Sequence, residues 1–121
     1  MTNRLKRILI IDDDQSTRES LEMYFTESGY IVDSANDGMM GLDLIKNNNP
    51  DVVISDNFMP RLSGMELATK LKKISRKIPF ILISSFKNSK ELIEDVEIFA
   101  FLEKPIDIKE LESNIIRALT H

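Results

Sequence analysis

Five short apolar runs alternate along the chain with segments that show helical spacing of apolar residues. Four of the runs cover residues 8–11, 52–54, 79–83 and 99–102, and the remaining one, 30–35, is interrupted by Asp33 and Ser34. Short apolar runs bounded by turn residues are typical of buried strands, and strands that alternate with helices favour a parallel sheet covered on both faces. The pattern therefore predicts an α/β fold with a doubly wound, five-stranded parallel sheet and five helices.

The helix boundaries are predicted from capping residues. Ser16, with Glu19 three residues later, predicts a capping box at the start of the first helix, and Gly29 predicts its end. A turn is predicted at 36–38. The other helices are predicted over 39–46, from Ser63 to about Lys73, from Asn88 to about Glu97, and after the capping residue Asp107. An apolar stripe marks the last helix and consists of Ile108, Leu111, Ile115, Ile116 and Leu119.

Composition narrows the class of protein. The 121 residues, 42% of them hydrophobic, suit a single domain covering 1–121, and no apolar run approaches the ~20 residues of a membrane-spanning helix. Cysteine is absent, which excludes disulfides and thiolate zinc sites and favours a cytoplasmic location. The net charge of −4 argues against direct nucleic-acid binding. The composition thus predicts a cytoplasmic domain that contacts neither membrane nor nucleic acid.

Polar residues follow four of the five predicted strands. Asp12 and Asp13 follow the first strand, Asp56 ends the third, Ser84 follows the fourth and Lys104 lies just beyond the fifth. The carboxyl ends of parallel strands share one edge of the sheet, and ligands of open α/β sheets bind in the crevice outside that edge. The sequence therefore predicts that these side chains converge on one pocket.

The residue types in this pocket indicate phosphoryl chemistry. Three neighbouring carboxylates repel, which raises their pKa values, and a divalent cation removes that conflict. Mg²⁺ prefers hard oxygen ligands, and an aspartate can act as the nucleophile that forms an aspartyl phosphate. Lys104 and the cation would neutralise charge on the transferring group, while Ser84 could donate a hydrogen bond to a phosphoryl oxygen.

Four motifs in this chain resemble those of the receiver domains of two-component response regulators. The resemblance extends from Arg7 to Leu119 and implies a flavodoxin-like fold with strand order 2-1-3-4-5. The motifs are Ile10-Ile11-Asp12-Asp13-Asp14, Asp56-Asn57-Phe58-Met59-Pro60 with Gly64, Ile83-Ser84, and Lys104-Pro105.

The resemblance also implies a role for each residue of the pocket. Asp56 is the expected phosphoacceptor and shares the metal site with Asp13, a direct ligand of Mg²⁺, and with Asp12, which would hold metal-bound water. The backbone carbonyl of Phe58 would complete the protein ligands. Lys104 would bridge to the phosphoryl group, and the Lys104-Pro105 bond is expected to be cis.

A second group of residues is expected to transmit the signal. Ser84 would be the switch hydroxyl and Phe101 the switch aromatic, and together they would reshape the face made by the fourth helix, the fifth strand and the fifth helix. A sensor histidine kinase or phosphotransfer protein would donate the phosphoryl group. A phosphatase, and a second copy bound through that face, are further candidate partners. The domain would assist its own phosphorylation and dephosphorylation without being an enzyme.

Two phenylalanines are expected to control how long the phosphoryl group persists. In the family that this chain resembles, the residues two beyond the phosphoacceptor and two beyond the switch hydroxyl border the approach of water, and here they are Phe58 and Phe86. Neither can orient a water molecule by hydrogen bonding. The sequence thus predicts a long-lived phosphorylated form.

Two alternatives remain open from the sequence. Asp12-Asp13-Asp14-Gln15-Ser16 fits the Asp-x-Asp-x-Ser signature of haloacid dehalogenase-like hydrolases, which would make Asp12 the nucleophile. The second alternative is a receiver fold that acts only as a binding module, independently of phosphorylation. Mapping the phosphorylated residue, and testing whether Mg²⁺ with a phosphate mimic changes the domain, separates the three hypotheses.

Overall fold

The computed structural model describes residues 5–74, 77–85 and 98–120 and shows an α/β fold built on one parallel sheet. The strands follow the order β2-β1-β3-β4-β5, and every neighbouring pair is parallel. They are β1 (Arg7–Ile11), β2 (Ile31–Ala35), β3 (Val52–Asp56), β4 (Phe80–Ser84) and β5 (Ala100–Glu103). The predicted strands and their order are confirmed, although Tyr30, Pro79 and Phe99 lie just before the strands to which the sequence assigned them.

Four helices connect and flank these strands within the described residues. They are α1 (Gln15–Glu27), α2 (Gly38–Asn48), α3 (Gly64–Lys73) and a C-terminal helix (Ile108–Thr120). The helix predicted over 88–97 lies outside the described residues, as does Phe86. In the part of the chain that the structure describes, no helix has both the length and the apolar character needed to cross a membrane.

Two hydrophobic cores lie on opposite faces of the sheet, as expected for a doubly wound fold. Side chains alternate along each strand, so Ile8 and Ile10 of β1 face one core while Leu9 and Ile11 face the other. The first core is covered by α1 and the C-terminal helix, and the second by α2 and α3. Both faces of the central strands β3 and β4 are buried along their whole length, so a site on these strands must form beyond their ends.

The start of α1 differs from the prediction. Asp14, not Ser16, is the N-cap, and its carboxylate accepts a hydrogen bond from the backbone N–H of Thr17 at 3.0 Å. Ser16 is already helical, so the predicted capping box with Glu19 is wrong. The reason lies in the preceding loop: the N–H of Asp14 donates to Oδ1 of Asp12 at 2.9 Å, which holds Asp14 over the end of the helix.

The start of α2 also lies earlier than predicted. Asp37 is the N-cap and accepts from the N–H of Met40 at 2.8 Å, so the predicted turn at 36–38 supplies the cap and the first helical residue. Gly38 packs against the backbone of Leu62, and a Cβ at this position would lie 2.5 Å from the Leu62 carbonyl oxygen. The helix continues to Asn48, beyond the predicted end at 46.

The caps of the last two described helices follow the prediction. Ser63 and Glu66 form a capping box at α3, and Oδ1 of Asp107 accepts from the second and third backbone N–H groups after it, at 3.0 and 3.3 Å. The predicted apolar stripe of the C-terminal helix is wrong at Ile116, which is 49% exposed. The buried positions of this helix are Leu111, Ile115 and Ala118.

Candidate functional site

Three carboxylates meet at the carboxyl edge of the sheet. The parallel pairing of Ile11 with Ser55 sets the ends of β1 and β3 level. One oxygen each from Asp12, Asp13 and Asp56 consequently lies within 4.8 Å of the other two. The structure thus brings together the three acids that the sequence predicted.

Lys104 contacts two of these acids from the far side of β4. Its Nζ lies 3.3 Å from Oδ2 of Asp56 and 3.8 Å from Oδ2 of Asp12. The backbone N–H of Lys104 donates to the carbonyl of Ser84 at 2.9 Å, which fixes the lysine beside the end of β4. The Lys104-Pro105 bond is cis, as predicted. One cation therefore links the ends of β1, β3 and β5.

Burial dominates the electrostatics of the carboxylates. Asp12 and Asp56 are 4% and 7% exposed, whereas Asp13 lies in solvent. Loss of hydration raises the pKa of Asp12 and that of Asp56, and the charge of Lys104 opposes both shifts. Repulsion between the carboxylates also raises these two pKa values, but by less than burial does. The predicted repulsion is confirmed as one cause of the raised pKa values, and burial, which the sequence analysis did not consider, is the larger cause.

The loop between β1 and α1 is held by backbone contacts that place Asp12. The N–H of Asp12 donates to the carbonyl of Ala35 at 3.1 Å, while Oδ1 of Asp12 accepts from the N–H of Asp14. The guanidinium of Arg18 donates to the Asp12 carbonyl at 2.8 Å. Sequence analysis missed Arg18, and its only signal there is an arginine in the second turn of a helix that follows an acidic loop.

The loop after β3 is anchored through the residue next to Asp56. Asn57 is buried at 4% exposure, and its N–H donates to the Ile83 carbonyl at 3.0 Å. Its carbonyl accepts from the N–H of Gly64 at 3.0 Å, and Oδ1 accepts from that of Met65 at 3.1 Å. Asn57 thus ties the carboxylate-bearing strand to β4 and to the start of α3. Its place in the motif was evident from the sequence, but not this role.

Gly64 allows α3 to approach Asp56 closely. A Cβ on Gly64 would lie 2.6 Å from the carbonyl oxygen of Asp56 and 2.6 Å from Cδ1 of Leu82. A larger residue would therefore push the start of α3 away from the strand that carries the central carboxylate.

The same loop contains a strained turn that is paired with α2. Arg61 has φ +71°, and the N–H of Leu62 donates to the carbonyl of Pro60 at 2.8 Å, which closes a γ-turn. The guanidinium of Arg61 lies 3.1 Å from Oδ2 of Asp37, the N-cap of α2. Sequence analysis missed this pair because the two residues lie in different loops.

The remaining predicted residues occupy different surroundings. Ser84 is fully buried at the end of β4, and Phe101 of β5 is half-buried against the core covered by α2 and α3. Phe58 is 49% exposed and lies at the surface. Asp14 directs its carboxylate to Thr17 of α1, so the second acid of the hydrolase signature serves as a helix cap.

The donor set fits a hard divalent cation. The three residues offer carboxylate oxygens alone, which Mg²⁺ prefers to nitrogen and sulfur ligands. Two of the acids are buried beside a single lysine, so a divalent charge here would compensate the cost of keeping them ionised. The residues present therefore fit Mg²⁺.

Comparisons with known proteins agree with this geometry. The family model described as response regulator receiver domain matches residues 8–116. Response regulator MprA of Mycobacterium sp. (strain KMS) is 38% identical over 107 residues, which cover 87% of this chain and 46% of the relative. The chain thus spans less than half the length of that curated relative.

Solved structures show the same fold. The Francisella response regulator 1452 receiver domain superposes with a TM-score of 0.89 at 31% identity, and the alignment covers 95% of this chain and 97% of that one. The signal receiver domain of an HD domain-containing protein from Pseudomonas fluorescens Pf-5 superposes with a TM-score of 0.90 at 26% identity. That alignment covers 98% and 97% of the two chains.

Proposed function

Because this chain belongs to the response regulator receiver domain family, we propose that it accepts a phosphoryl group on Asp56 in a two-component system. A sensor histidine kinase or a phosphotransfer protein would be the donor. The observation that carries the proposal is the ammonium of Lys104, 3.3 Å from a carboxylate oxygen of Asp56 at the edge of the sheet. We also propose that residues 1–121 form one receiver domain.

The proposed transfer is a displacement at phosphorus. An ionised oxygen of Asp56 forms a new O–P bond, the N–P bond of the phosphohistidine breaks, and the imidazole leaves with that electron pair and takes up a proton. Burial raises the pKa of Asp56, whereas Lys104 keeps the carboxylate available in its charged, nucleophilic form. The ammonium of Lys104 would then stabilise the negative charge that develops on the phosphoryl oxygens.

The other acids would complete the site. Mg²⁺ held by Asp13, Asp56 and the carbonyl of Phe58, with Asp12 on its water, would supply positive charge to the phosphoryl oxygens. Asp12 is supported for a positioning role by its burial and by the bond from the Asp14 N–H to its Oδ1, which leaves Oδ2 directed towards Lys104.

We also propose how the signal leaves the site. Ser84 pairs with Glu103, and Leu82 with Phe101, so the hydroxyl and the aromatic ring lie on adjacent strands. A shift of Ser84 towards a phosphoryl oxygen would move the end of β4 relative to β5. That movement would give the half-buried side chain of Phe101 room to turn. The altered surface would contact an output partner or a second copy of the chain, and a phosphatase would end the signal.

The test is to map the phosphorylated residue. The chain is incubated with acetyl phosphate and Mg²⁺, and the acyl phosphate is located by mass spectrometry after borohydride reduction. Label on Asp56, lost in Asp56→Asn and retained in the exposed control Asp43→Asn, is the expected result. Label on Asp12 would support the hydrolase alternative. No label, together with unchanged melting in Mg²⁺ and beryllofluoride, would support the phosphorylation-independent binding module.

A further inference from the structure

We infer that Arg18 is a positioning residue for the cation site, because its guanidinium fixes the loop that directs Asp12 and Asp13 towards Asp56. The inference rests on the proposed function, since it concerns the same acids. Arg18 is positively charged and lies outside the cluster of Asp12, Asp13 and Asp56, so it cannot bind the cation itself.

Arg18 donates two hydrogen bonds to the loop between β1 and α1, one from its side chain and one from its backbone. Its guanidinium donates to the carbonyl of Asp12 at 2.8 Å, and its backbone N–H donates to the carbonyl of Asp14 at 3.0 Å. Asp13 lies between these two carbonyls. The backbone bond is the first helical bond of α1 and does not depend on the side chain, so the half-buried arginine side chain holds the loop through the Asp12 carbonyl, directly before Asp13.

The loop needs such a contact because burial of its acidic side chains costs free energy. Asp12 is only 4% exposed and lies beside Asp56. Because an ionised carboxylate is more stable in water, Asp12 tends to move outwards. A hydrogen bond from a charged donor to the backbone carbonyl resists that movement, and the planar guanidinium holds its direction better than a flexible ammonium. Residues that orient metal ligands typically change metal affinity by about 10–100-fold when they are replaced.

Three explanations of the role of Arg18 predict different changes in Mg²⁺ affinity when the residue is replaced. If Arg18 acted only through its positive charge, its removal would tighten Mg²⁺ binding, because like charges repel. If it only stabilised the fold, its removal would lower the melting temperature and leave Mg²⁺ affinity unchanged. If it positions the loop, its removal weakens Mg²⁺ binding although a repelling charge has gone.

The experiment measures the Kd of Mg²⁺ by titration calorimetry on the full chain, with melting curves in EDTA. In Arg18→Gln we expect Kd to rise about tenfold. Lys72→Gln removes the same charge from the exposed last turn of α3 and should leave Kd unchanged. Arg18→Lys keeps the charge and one donor, so its Kd should lie between those of the parent and Arg18→Gln.

Two results would overturn the inference. One is a Kd in Arg18→Gln equal to or below that of the parent, and the other is a Kd in Arg18→Lys above that in Arg18→Gln. If Arg18→Gln does not fold, Arg18→Lys against the parent decides: a raised Kd supports positioning and an unchanged Kd contradicts it. Failure of the parent itself to bind Mg²⁺ would instead contradict the proposed function.

Discussion

The ammonium nitrogen of Lys104 lies 3.3 Å from Oδ2 of Asp56, although the strands that lead to these residues are separated by β4. The lysine reaches across the end of β4, where its own N–H is bound to the Ser84 carbonyl. The contact places one positive charge beside two buried carboxylates, Asp56 and Asp12. This arrangement leads to the first prediction.

Replacement of Lys104 by Gln should slow phosphorylation strongly. The glutamine lacks the charge that stabilises the developing phosphoryl oxygens, and loss of one such group typically costs about 100-fold or more in rate. The measurement is the initial rate of phosphoprotein formation with acetyl phosphate in saturating Mg²⁺. Lys73→Gln, on the exposed end of α3, is the matched control. A rate in Lys104→Gln equal to that of the control would rule out the proposed role.

Replacement of Asp56 by Asn should stabilise the metal-free fold at neutral pH. Burial raises the pKa of Asp56 above its ordinary value of 3.8, so the native state binds more protons than the unfolded state between these two values. The free energy of unfolding therefore falls as pH rises through that window. Asparagine removes the penalty, with an expected gain on the order of 1 kcal/mol at neutral pH, the usual size of a single-residue effect.

The pH dependence distinguishes this cause from a simple packing effect. The stability difference between Asp56→Asn and the parent should shrink as pH falls through the raised pKa, and should vanish below pH 3.8, where Asp56 is protonated in both states. Denaturant unfolding in EDTA across this range measures it. A difference that stays constant with pH would show that charge burial is not responsible.

Replacement of Asn57 by Ala should destabilise α3 and the loop beside the carboxylate. The buried Oδ1 of Asn57 accepts from the N–H of Met65, and loss of an acceptor at a helix N-terminus costs about 1 kcal/mol, with up to about 2 kcal/mol in proteins. Asn36→Ala, at an exposed position, is the control. Equal unfolding midpoints in urea for the two variants would contradict the assigned anchoring role.

The sequence predicted the strand ends and the acidic set because both depend on local information. Apolar runs define the strands, and once the sheet is parallel, Asp12, Asp56 and Lys104 must share an edge. The start of α1 was mispredicted because Ser16 and Asp14 both suit a cap. The choice was made by the bond from the Asp14 N–H to the Asp12 side chain, which depends on the three-dimensional path of the loop.

Residues that act through backbone atoms were not predictable in this way. Arg18 and Asn57 bind main-chain carbonyls or N–H groups, and such bonds require no particular partner side chain in the sequence. The pair of Arg61 with Asp37 joins two loops whose proximity follows only from the packing of α2 against the turn after β3. Side-chain identity reveals the chemistry of the site, whereas the folded backbone determines which residues orient it.

The last prediction concerns the lifetime of the phosphorylated form. Hydrolysis of an acyl phosphate needs a water molecule aligned with the bond to phosphorus, and an apolar side chain at the mouth of the site excludes that water. Phe58 is two residues from Asp56, and the residue is 49% exposed at the surface of the loop that follows β3. Phe86, the second predicted residue, lies outside the described residues.

Replacement of Phe58 by Asn and Phe86 by Glu should therefore speed the spontaneous loss of phosphate. Both new side chains can hydrogen-bond water, and orienting a reacting group of this kind typically contributes about 100-fold or more to a rate. The measurement is phosphoprotein decay after removal of the donor, in excess Mg²⁺. Phe58→Leu keeps an apolar cover and should decay like the parent. If the double variant decays no faster than Phe58→Leu, the phenylalanines do not limit access of water.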